Sequence, residues 1–210
     1  MIKNIIIDFD NTIANSSETA FNYFCDKYKV LDSNISYDPS VLLWNFQPFI
    51  KDEDQLKDVL EYMNSESFFK QVEVLEGVKE VLCKLKENNL KLTLCTNRTG
   101  RSFDYVKDWL KSFDLYKVFD YIVCVSSFDK SIINGEIIID DKPGCMINDN
   151  RQAHIIFGNF KYAKDEFISN FNSIKDPKSY KFCENWHDVL AAITNILIID
   201  NARRVSSGGI

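Results

Sequence analysis

Four short segments of the chain carry residue types that can transfer a phosphoryl group. They are Asp8-Phe9-Asp10-Asn11-Thr12, Thr96-Asn97-Arg98, Lys130, and Asp140-Asp141-Lys142-Pro143, and each follows an apolar run. Residues two apart in an extended strand point to the same face, so Asp8 and Asp10 can act as a pair. One carboxylate can attack phosphorus while the other handles the proton of the leaving oxygen. The spacing therefore predicts catalysis through an aspartyl-phosphate, with Lys130 supplying positive charge and Thr96 a hydrogen bond.

The acidic residues of these segments also predict a metal site. If the sheet is parallel, Asp8, Asp10, Asp140 and Asp141 converge on one edge. Two like unit charges about 4 Å apart repel by roughly 4 kcal/mol at a moderate effective dielectric, so four carboxylates need a cation. Mg²⁺ fits because it prefers hard oxygen ligands and completes its shell with water and substrate phosphate. The sequence has no HExxH motif or Cys/His cluster for zinc, and no GxxxxGK(S/T) or GxGxxG loop for nucleotides.

Apolar runs and helical stripes predict the elements that would position these residues. Helical repeats lie between several of the runs, and this alternation predicts an α/β fold with a doubly wound parallel sheet. The five runs that read as buried strands are Ile2 to Phe9, Leu90 to Cys95, Tyr121 to Val125, Glu136 to Ile139 and His154 to Phe157.

One stretch interrupts the alternation of strands and helices. Residues 14–74 show no convincing strand but several helical segments, of which Asp52 to Met63 is the clearest. We expect this stretch to form a small helical cap over the carboxyl ends of the strands, where such folds bind ligands. The predicted core then comprises residues 1–13 and 75–197, and residues 198–210 are expected to be a flexible tail.

Composition restricts the class of partner. The 31 acidic and 25 basic residues give a net charge of -6, which argues against a protein that grips a nucleic-acid polymer. No apolar run approaches the ~18 residues needed to span a bilayer, and no signal peptide is visible, so we expect a cytoplasmic protein without a membrane partner. The six cysteines form no CxxC pair and read as reduced core residues. The sequence leaves a homodimer open.

The four ordered segments resemble the motifs of the haloacid dehalogenase superfamily of phosphohydrolases. More narrowly, the chain resembles the cytosolic and mitochondrial 5'(3')-deoxyribonucleotidase family over most of residues 2–10 and 66–196. The segments that carry this narrower resemblance are Ser67-Phe68-Phe69, Val74-Leu75-Glu76-Gly77, Leu94-Cys95-Thr96, Asp129-Lys130-Ser131, Gly135 to Pro143, His154 to Phe157 and Asn185-Trp186.

The resemblance implies a role for each matching residue. Asp8 would be the nucleophile, and Asp10 the general acid and base, with its backbone carbonyl also reaching Mg²⁺. Thr96 and Asn97 would hold phosphate oxygens, and Lys130 would bridge nucleophile and phosphate. Asp141 would bind the metal directly, with Asp140 beside it. Phe68 and Phe69 lie in a resembling segment and are expected to stack on a base, as is Phe46, one of several aromatic residues of the helical stretch.

Two positions depart from the family pattern. Phe128 stands where the family usually has Arg, and Asn97 stands where it has Ser. We hypothesise that Arg98 or Arg151 supplies the missing cation. The expected substrate is a nucleoside monophosphate. Two alternatives stay open: a phosphatase for another small phosphomonoester such as a sugar phosphate, and a receiver-like signalling or binding module.

Overall fold

A six-stranded parallel sheet forms the centre of the molecule. The computed structural model describes residues 2–30, 36–41, 46, 49–126, 130, 132–146, 153–170 and 179–207. The strands lie in the order β3-β2-β1-β4-β5-β6, and every neighbouring pair is parallel. Their bounds are β1 Asn4–Ile7, β2 Lys91–Thr96, β3 Tyr121–Cys124, β4 Ile137–Asp140, β5 Ala153–Phe157 and β6 Tyr180–Cys183.

Helices cover both faces of this sheet. Alternate residues of β1 point to opposite faces: Ile5 and Ile7 pack into one apolar cluster, which includes residues of α4, α5 and α7, and Ile6 packs into another with α6. Burial of both faces explains why the central strands are almost wholly apolar, as is usual for a parallel sheet. The helices are α1 Ser16–Tyr28, α2 Glu53–Met63, α3 Glu66–Gln71, α4 Val78–Glu87, α5 Gly100–Ser112, α6 Lys161–Asn170 and α7 Trp186–Ser207.

The doubly wound α/β fold is therefore confirmed, and a sixth strand is added. All five predicted strands are present, with bounds that shift by a few residues. Strand β6 was not predicted because it is short, lies at the edge of the sheet and alternates less clearly: Lys181 and Phe182 are exposed between buried Tyr180 and Cys183.

Helices α1, α2 and α3 form an insert between β1 and α4. Within it, Ala20, Phe21, Phe24, Phe46, Ile50 and Val59 build an apolar cluster of their own. Side chains cap two of the helices: Asp52 accepts from the Gln55 amide at 2.8 Å, and Ser65 accepts from the Phe68 amide at 3.3 Å. An isolated bridge between Ala14 and Val74 joins the two ends of the insert, so the segment leaves and re-enters the sheet at one place.

The expected flexible tail differs from the structure. Helix α7 continues to Ser207, so residues 198–207 are helical rather than frayed. The physical reason is composition: no Gly or Pro interrupts the sequence between Trp186 and Ser207, and the first glycine follows at position 208. Among the helices that the structure describes, none is both long and apolar enough to cross a membrane.

Candidate active site

The predicted polar segments meet at the carboxyl ends of the central strands. Ile7 pairs with Leu94 of β2 on one side and with Ile139 of β4 on the other. The ladder extends one step further, because the Asp8 amide donates to the Ile139 carbonyl at 2.9 Å. The register therefore places Asp8 beside Asp140, as the parallel arrangement requires.

Lys130 links these two carboxylates. Its ammonium donates to Asp8 Oδ1 and, at 2.7 Å, to Asp140 Oδ2, and its side chain is 1% exposed. The other oxygen of Asp140 accepts from the Lys142 amide at 2.9 Å. Burial raises the pKa of Asp8 well above its usual range, an effect that the charge of Lys130 opposes. A buried ammonium between two carboxylates is a fixed positive charge beside the nucleophile that we predict.

Asp141 lies on the other side of Asp140 and has neutral partners. Tyr162 donates its hydroxyl to Asp141 Oδ2, and Asn11 Nδ2 donates to the same oxygen at 3.2 Å. Burial and the nearby charge of Asp140 raise the pKa of Asp141 to about 7. Asn11 adopts the left-handed conformation, with φ of 56°, which turns its side chain back from the end of β1.

Three carboxylates form a cluster that suits a hard divalent cation. Oxygens of Asp8, Asp140 and Asp141 all lie within 4.8 Å of one another, and all three residues are buried. Oxygen-only donors are the ligands that Mg²⁺ and Ca²⁺ prefer, and a cation there would relieve the repulsion that raises the pKa of Asp8 and Asp141. The side chain of Asp10, predicted as a fourth metal residue, is not part of this cluster and points elsewhere.

Asp10 is held by an arginine instead. Arg98 Nε donates to Asp10 Oδ2 at 2.8 Å and Nη2 donates to Oδ1 at 2.7 Å, a two-point ion pair. Ser16 Oγ donates to Asp10 Oδ1 at 2.5 Å. Burial acts to raise the pKa of Asp10, but the charge and hydrogen bonds of Arg98 and the bond from Ser16 outweigh it, so the pKa is lowered. In this conformation Asp10 is a carboxylate with both oxygens engaged.

A cavity of about 220 Å³ opens onto the carboxylates and continues to the insert. Its polar part is lined by Asp8, Asp10, Asn11, Ser17, Asn97, Lys130, Asp140, Asp141, Lys142 and Tyr162. The described residues that line it from the insert beyond α1 are apolar: Phe46, Leu60 and Met63. The site is therefore charged at the sheet and apolar opposite it.

The predicted site residues at the end of β2 differ in their surroundings. Asn97 lines the cavity, and its Nδ2 donates to the Val125 carbonyl at 3.3 Å. Thr96 is 1% exposed, does not line the cavity, and accepts at Oγ1 from the Arg98 amide at 3.2 Å. Arg98 also lies outside the lining, and Arg151 and Phe128 lie outside the described residues. The phosphate contacts of Thr96 and Asn97 remain predictions.

Two of the three proposed stacking residues are corrected by the structure. Phe68 is 0% exposed and Phe69 is 9% exposed, and neither lines the cavity. Their rings pack against each other, with Phe68 also against Tyr62 and Phe69 also against Phe9. Both belong to the apolar core because α3 turns them inward. Phe46 alone of the three reaches the cavity.

Sequence reasoning missed the partners of the carboxylates. Ser16 and Tyr162 lie on helices, and nothing in their neighbourhood marks them, because their role arises from packing of α1 and α6 against the sheet edge. Asn11 and Lys142 adjoin the acidic motifs, and that adjacency was the available signal. The positive φ of Asn11 is typical of a tight turn, here directly after β1.

A family model matches more than half of the chain, and one curated protein matches over a similar length. Residues 5–134 match the family model described as haloacid dehalogenase-like hydrolase. The chain is 31% identical over 138 residues to PpaX of Caldanaerobacter subterraneus subsp. tengcongensis, named as a candidate pyrophosphatase, and the match spans 61% of each chain.

Solved structures share the fold at low identity. The haloacid dehalogenase-like family protein SP0104 from Streptococcus pneumoniae matches with a TM-score of 0.61 and 18% identity, covering 91% of this chain and 98% of that one. CbbY from Rhodobacter sphaeroides, in complex with xylulose-(1,5)-bisphosphate, matches with a TM-score of 0.50 and 12% identity, covering 89% and 95%. With its motifs in register at one sheet edge and the family model matching 5–134, the chain belongs to the haloacid dehalogenase-like hydrolases.

Proposed function

We propose that the protein is a Mg²⁺-dependent phosphomonoesterase that acts through an aspartyl-phosphate on Asp8. The observation that carries the proposal is the buried arrangement of Lys130 between Asp8 and Asp140, next to Asp141. A lysine that contacts the nucleophile neutralises charge where a phosphoryl group would be transferred. Mg²⁺ held by Asp8, Asp141 and Asp140, and by the Asp10 carbonyl as the resemblance implies, would neutralise phosphate oxygens beside the nucleophile.

The chemistry divides into two displacements at phosphorus. A carboxylate oxygen of Asp8 attacks, the bond to the leaving oxygen breaks, and a proton from Asp10 passes to that oxygen. A water molecule then attacks the same phosphorus, Asp10 accepts its proton, and the bond to Asp8 breaks to release phosphate. Arg98 and Ser16 together occupy both acceptor positions of Asp10 Oδ1, whereas Oδ2 accepts from Arg98 Nε alone and keeps one position for the proton that Asp10 takes up and passes on.

For the substrate we propose a nucleoside monophosphate, in a reaction of the 5'(3')-nucleotidase type. The described residues that line the cavity from the insert beyond α1, Phe46, Leu60 and Met63, are apolar, which suits a planar base better than a second phosphate. Stacking on an aromatic ring such as Phe46 contributes about 1–3 kcal/mol. A sugar phosphate is the second candidate, because CbbY, which shares the fold, binds a sugar bisphosphate.

The test is phosphate release with Mg²⁺ from a panel of substrates. The panel contains dUMP, dTMP, their 3' isomers, sugar monophosphates, a sugar bisphosphate and inorganic pyrophosphate, because a relative is named for pyrophosphate. We expect many turnovers on nucleoside monophosphates, and loss of turnover in Asp8→Asn. Turnover on sugar phosphates alone would keep the mechanism and overturn the nucleotidase assignment. Turnover on pyrophosphate alone would overturn the monoester assignment.

Phe46 offers a direct test of base recognition. We expect Phe46→Leu to raise KM for nucleoside monophosphates by about tenfold, because it removes a stacking surface worth on the order of 1–3 kcal/mol. Phe49→Leu is the matched control, since Phe49 belongs to the same aromatic cluster, through its contact with Phe21, but does not line the cavity. An equal rise in KM for both variants would mean that Phe46 acts only through the packing of the insert.

A further inference from the structure

The side chain of Arg98 connects three parts of the molecule. Its Nε and Nη2 hold Asp10, and its Nη1 donates to the carbonyl of Met63, the last residue of α2, and at 3.3 Å to Ser102 Oγ on α5. The Arg98 side chain is 7% exposed, whereas that of Asp10 is 30% exposed and lines the cavity. The guanidinium is therefore behind Asp10, on the side away from the cavity.

Three aromatic rings pack around this guanidinium. Its central carbon lies 5.0 Å from the ring centre of Phe68, 4.9 Å from that of Phe69 and 5.8 Å from that of Phe9. Contacts of this kind favour the cation at the ring faces and exclude water from it. Phe68 and Phe69, expected to stack on a substrate base, stack on Arg98 instead.

These contacts leave little of Arg98 for a substrate. An arginine has five N–H donors in a rigid fork. Its three nitrogens already have acceptors in Asp10, the Met63 carbonyl and Ser102. A substrate phosphate in the cavity would meet Asp10 before it met Arg98. The geometry opposes the hypothesis that Arg98 replaces the missing phosphate-binding cation.

We propose that Arg98 is a positioning residue for Asp10 and ties the position of that carboxylate to the end of helix α2 in the insert. This inference rests on the proposed function and extends it. Arg98 aligns Asp10 so that its carboxyl group meets the leaving oxygen and later the attacking water. Through the Met63 carbonyl, the same guanidinium makes that alignment depend on where the insert lies.

The distinction from a phosphate ligand can be measured with p-nitrophenyl phosphate. Its leaving group departs without a proton, so formation of the aspartyl-phosphate does not need Asp10, whereas its hydrolysis does. We expect Arg98→Met and Arg98→Lys to keep the rapid burst of p-nitrophenol and to slow the steady state. On a nucleoside monophosphate, whose leaving oxygen needs a proton, kcat should fall by about 10²-fold, the usual worth of a positioned acid, with KM within about twofold.

The control is Arg101→Met. Arg101 lies three residues further along, is exposed, and contacts Tyr105 rather than a carboxylate. It should behave like the wild type in the burst, in the steady state and in inhibition by inorganic phosphate. Added to Asp10→Asn, Arg98→Met should change kcat no further, because a residue that acts only through Asp10 has nothing left to position.

Other outcomes would overturn the proposal. If Arg98→Met abolishes the burst and raises the inhibition constant of inorganic phosphate by tenfold or more, Arg98 binds phosphate. If the effects of Arg98→Met and Asp10→Asn simply add, Arg98 acts independently of Asp10. If the wild type turns over substrate and the Arg98 variants have the same burst and steady-state rates as the wild type, this inference alone is refuted. If the wild type does not turn over any substrate, the proposed function is refuted.

A second measurement does not depend on the folding of the Arg98 variants. In the wild type, the Nε–H resonance of Arg98 should be insensitive to inorganic phosphate added with Mg²⁺, and should shift in Asp10→Asn. A resonance that moves with phosphate and ignores Asp10→Asn would identify a phosphate ligand and contradict the proposal.

Discussion

At the scale of single residues, the site is a set of four carboxyl groups held by three kinds of donor: an ammonium, a guanidinium and a phenol hydroxyl. Asp8 and Asp140 share the ammonium of Lys130, Asp10 has the guanidinium of Arg98, and Asp141 has the hydroxyl of Tyr162. Different partners move the pKa values apart: burial raises that of Asp8, while Arg98 lowers that of Asp10 against the effect of burial. Such divergence is how neighbouring carboxyl groups take different chemical roles.

The contact between Tyr162 and Asp141 makes a prediction for metal binding. A donor that orients a ligating carboxylate typically changes metal affinity by 10–100-fold when it is removed. We expect Tyr162→Phe to weaken Mg²⁺ binding by about tenfold, measured by calorimetric titration. Tyr116→Phe, at a tyrosine that is 39% exposed, is the control. Unchanged affinity in Tyr162→Phe would show that the hydroxyl does not orient the metal ligand.

The acidic motifs could be predicted from sequence, and their partners could not. Asp8, Asp10, Asp140 and Asp141 sit directly after apolar strands, so local pattern and strand direction are enough to bring them together. The contacts of Arg98 and Tyr162 depend on how α2, α3 and α6 pack, which no local pattern encodes. Phe68 and Phe69 were assigned wrongly because the sequence of an aromatic pair does not show whether it faces a ligand or the core.

At the scale of elements, helices α1 and α2 of the insert are joined by a polar contact as well as by the insert's apolar cluster. Asp58 on α2 accepts from Lys27, Tyr23 and Tyr28 on α1, the last two at 3.2 Å. Tyr23 also stacks on Tyr62, with ring centres 3.8 Å apart. The hydrogen bonds that join α1 to α2 here thus share one acceptor, the Asp58 carboxylate.

This contact predicts a pH-dependent contribution to stability. The hydrogen bond from Lys27 holds the pKa of Asp58 below its usual value, so the carboxylate stabilises the folded chain above the unfolded pKa of about 4. That stabilisation is lost as the pH falls through the lower, folded pKa. We expect Asp58→Asn to lower Tm at pH 7, and the difference from the wild type to shrink as the pH approaches 3.

The control for this prediction is Asp26→Asn, at an exposed aspartate on α1. Its Tm should follow that of the wild type at each pH. A Tm difference for Asp58→Asn that is the same at pH 7 and pH 3 would show that the carboxylate charge does not join the two helices.

The elements up to β5 were largely predictable from the sequence, whereas those after β5 were predicted only in part. The alternation of apolar runs and helical stripes was strong enough to predict β1 to β5 and helices between them. Strand β6 was missed because an edge strand with exposed Phe182 lacks a continuous apolar run. The extent of α7 was missed because polar, basic residues read as a tail, although Ala202, Arg203 and Arg204 favour a helix and no Gly or Pro comes before position 208.

At the scale of the whole molecule, the fold brings three buried carboxyl groups together around one ammonium, that of Lys130. Asp8 directly follows β1, Asp140 ends β4 and Asp141 directly follows β4, so the repulsion among them acts on two adjacent central strands of the sheet. A ligand that binds only the folded protein stabilises it by about 2.7 kcal/mol when its concentration is 100 times its Kd. A cation bound at this cluster should therefore raise the free energy of unfolding of the protein.

We expect Mg²⁺ to raise Tm in the wild type and chelator to reverse the rise. Asp141→Asn should abolish most of the increase, because it removes one of the three clustered carboxylates. Asp188→Asn serves as a control, since that aspartate lies on α7 and belongs to a separate set of contacts with Asn185. An equal increase in the wild type and Asp141→Asn would place the stabilising ion somewhere else.

Nucleophilic catalysis by Asp8 is tested most directly by trapping the covalent intermediate. The wild type is mixed with a substrate from the panel that carries a labelled phosphoryl group, quenched in acid within the first turnover, and digested. We expect label on the peptide that contains Asp8 in the wild type, and none on that peptide in Asp8→Asn. Turnover without label on that peptide, or label that persists in Asp8→Asn, would contradict nucleophilic catalysis by Asp8.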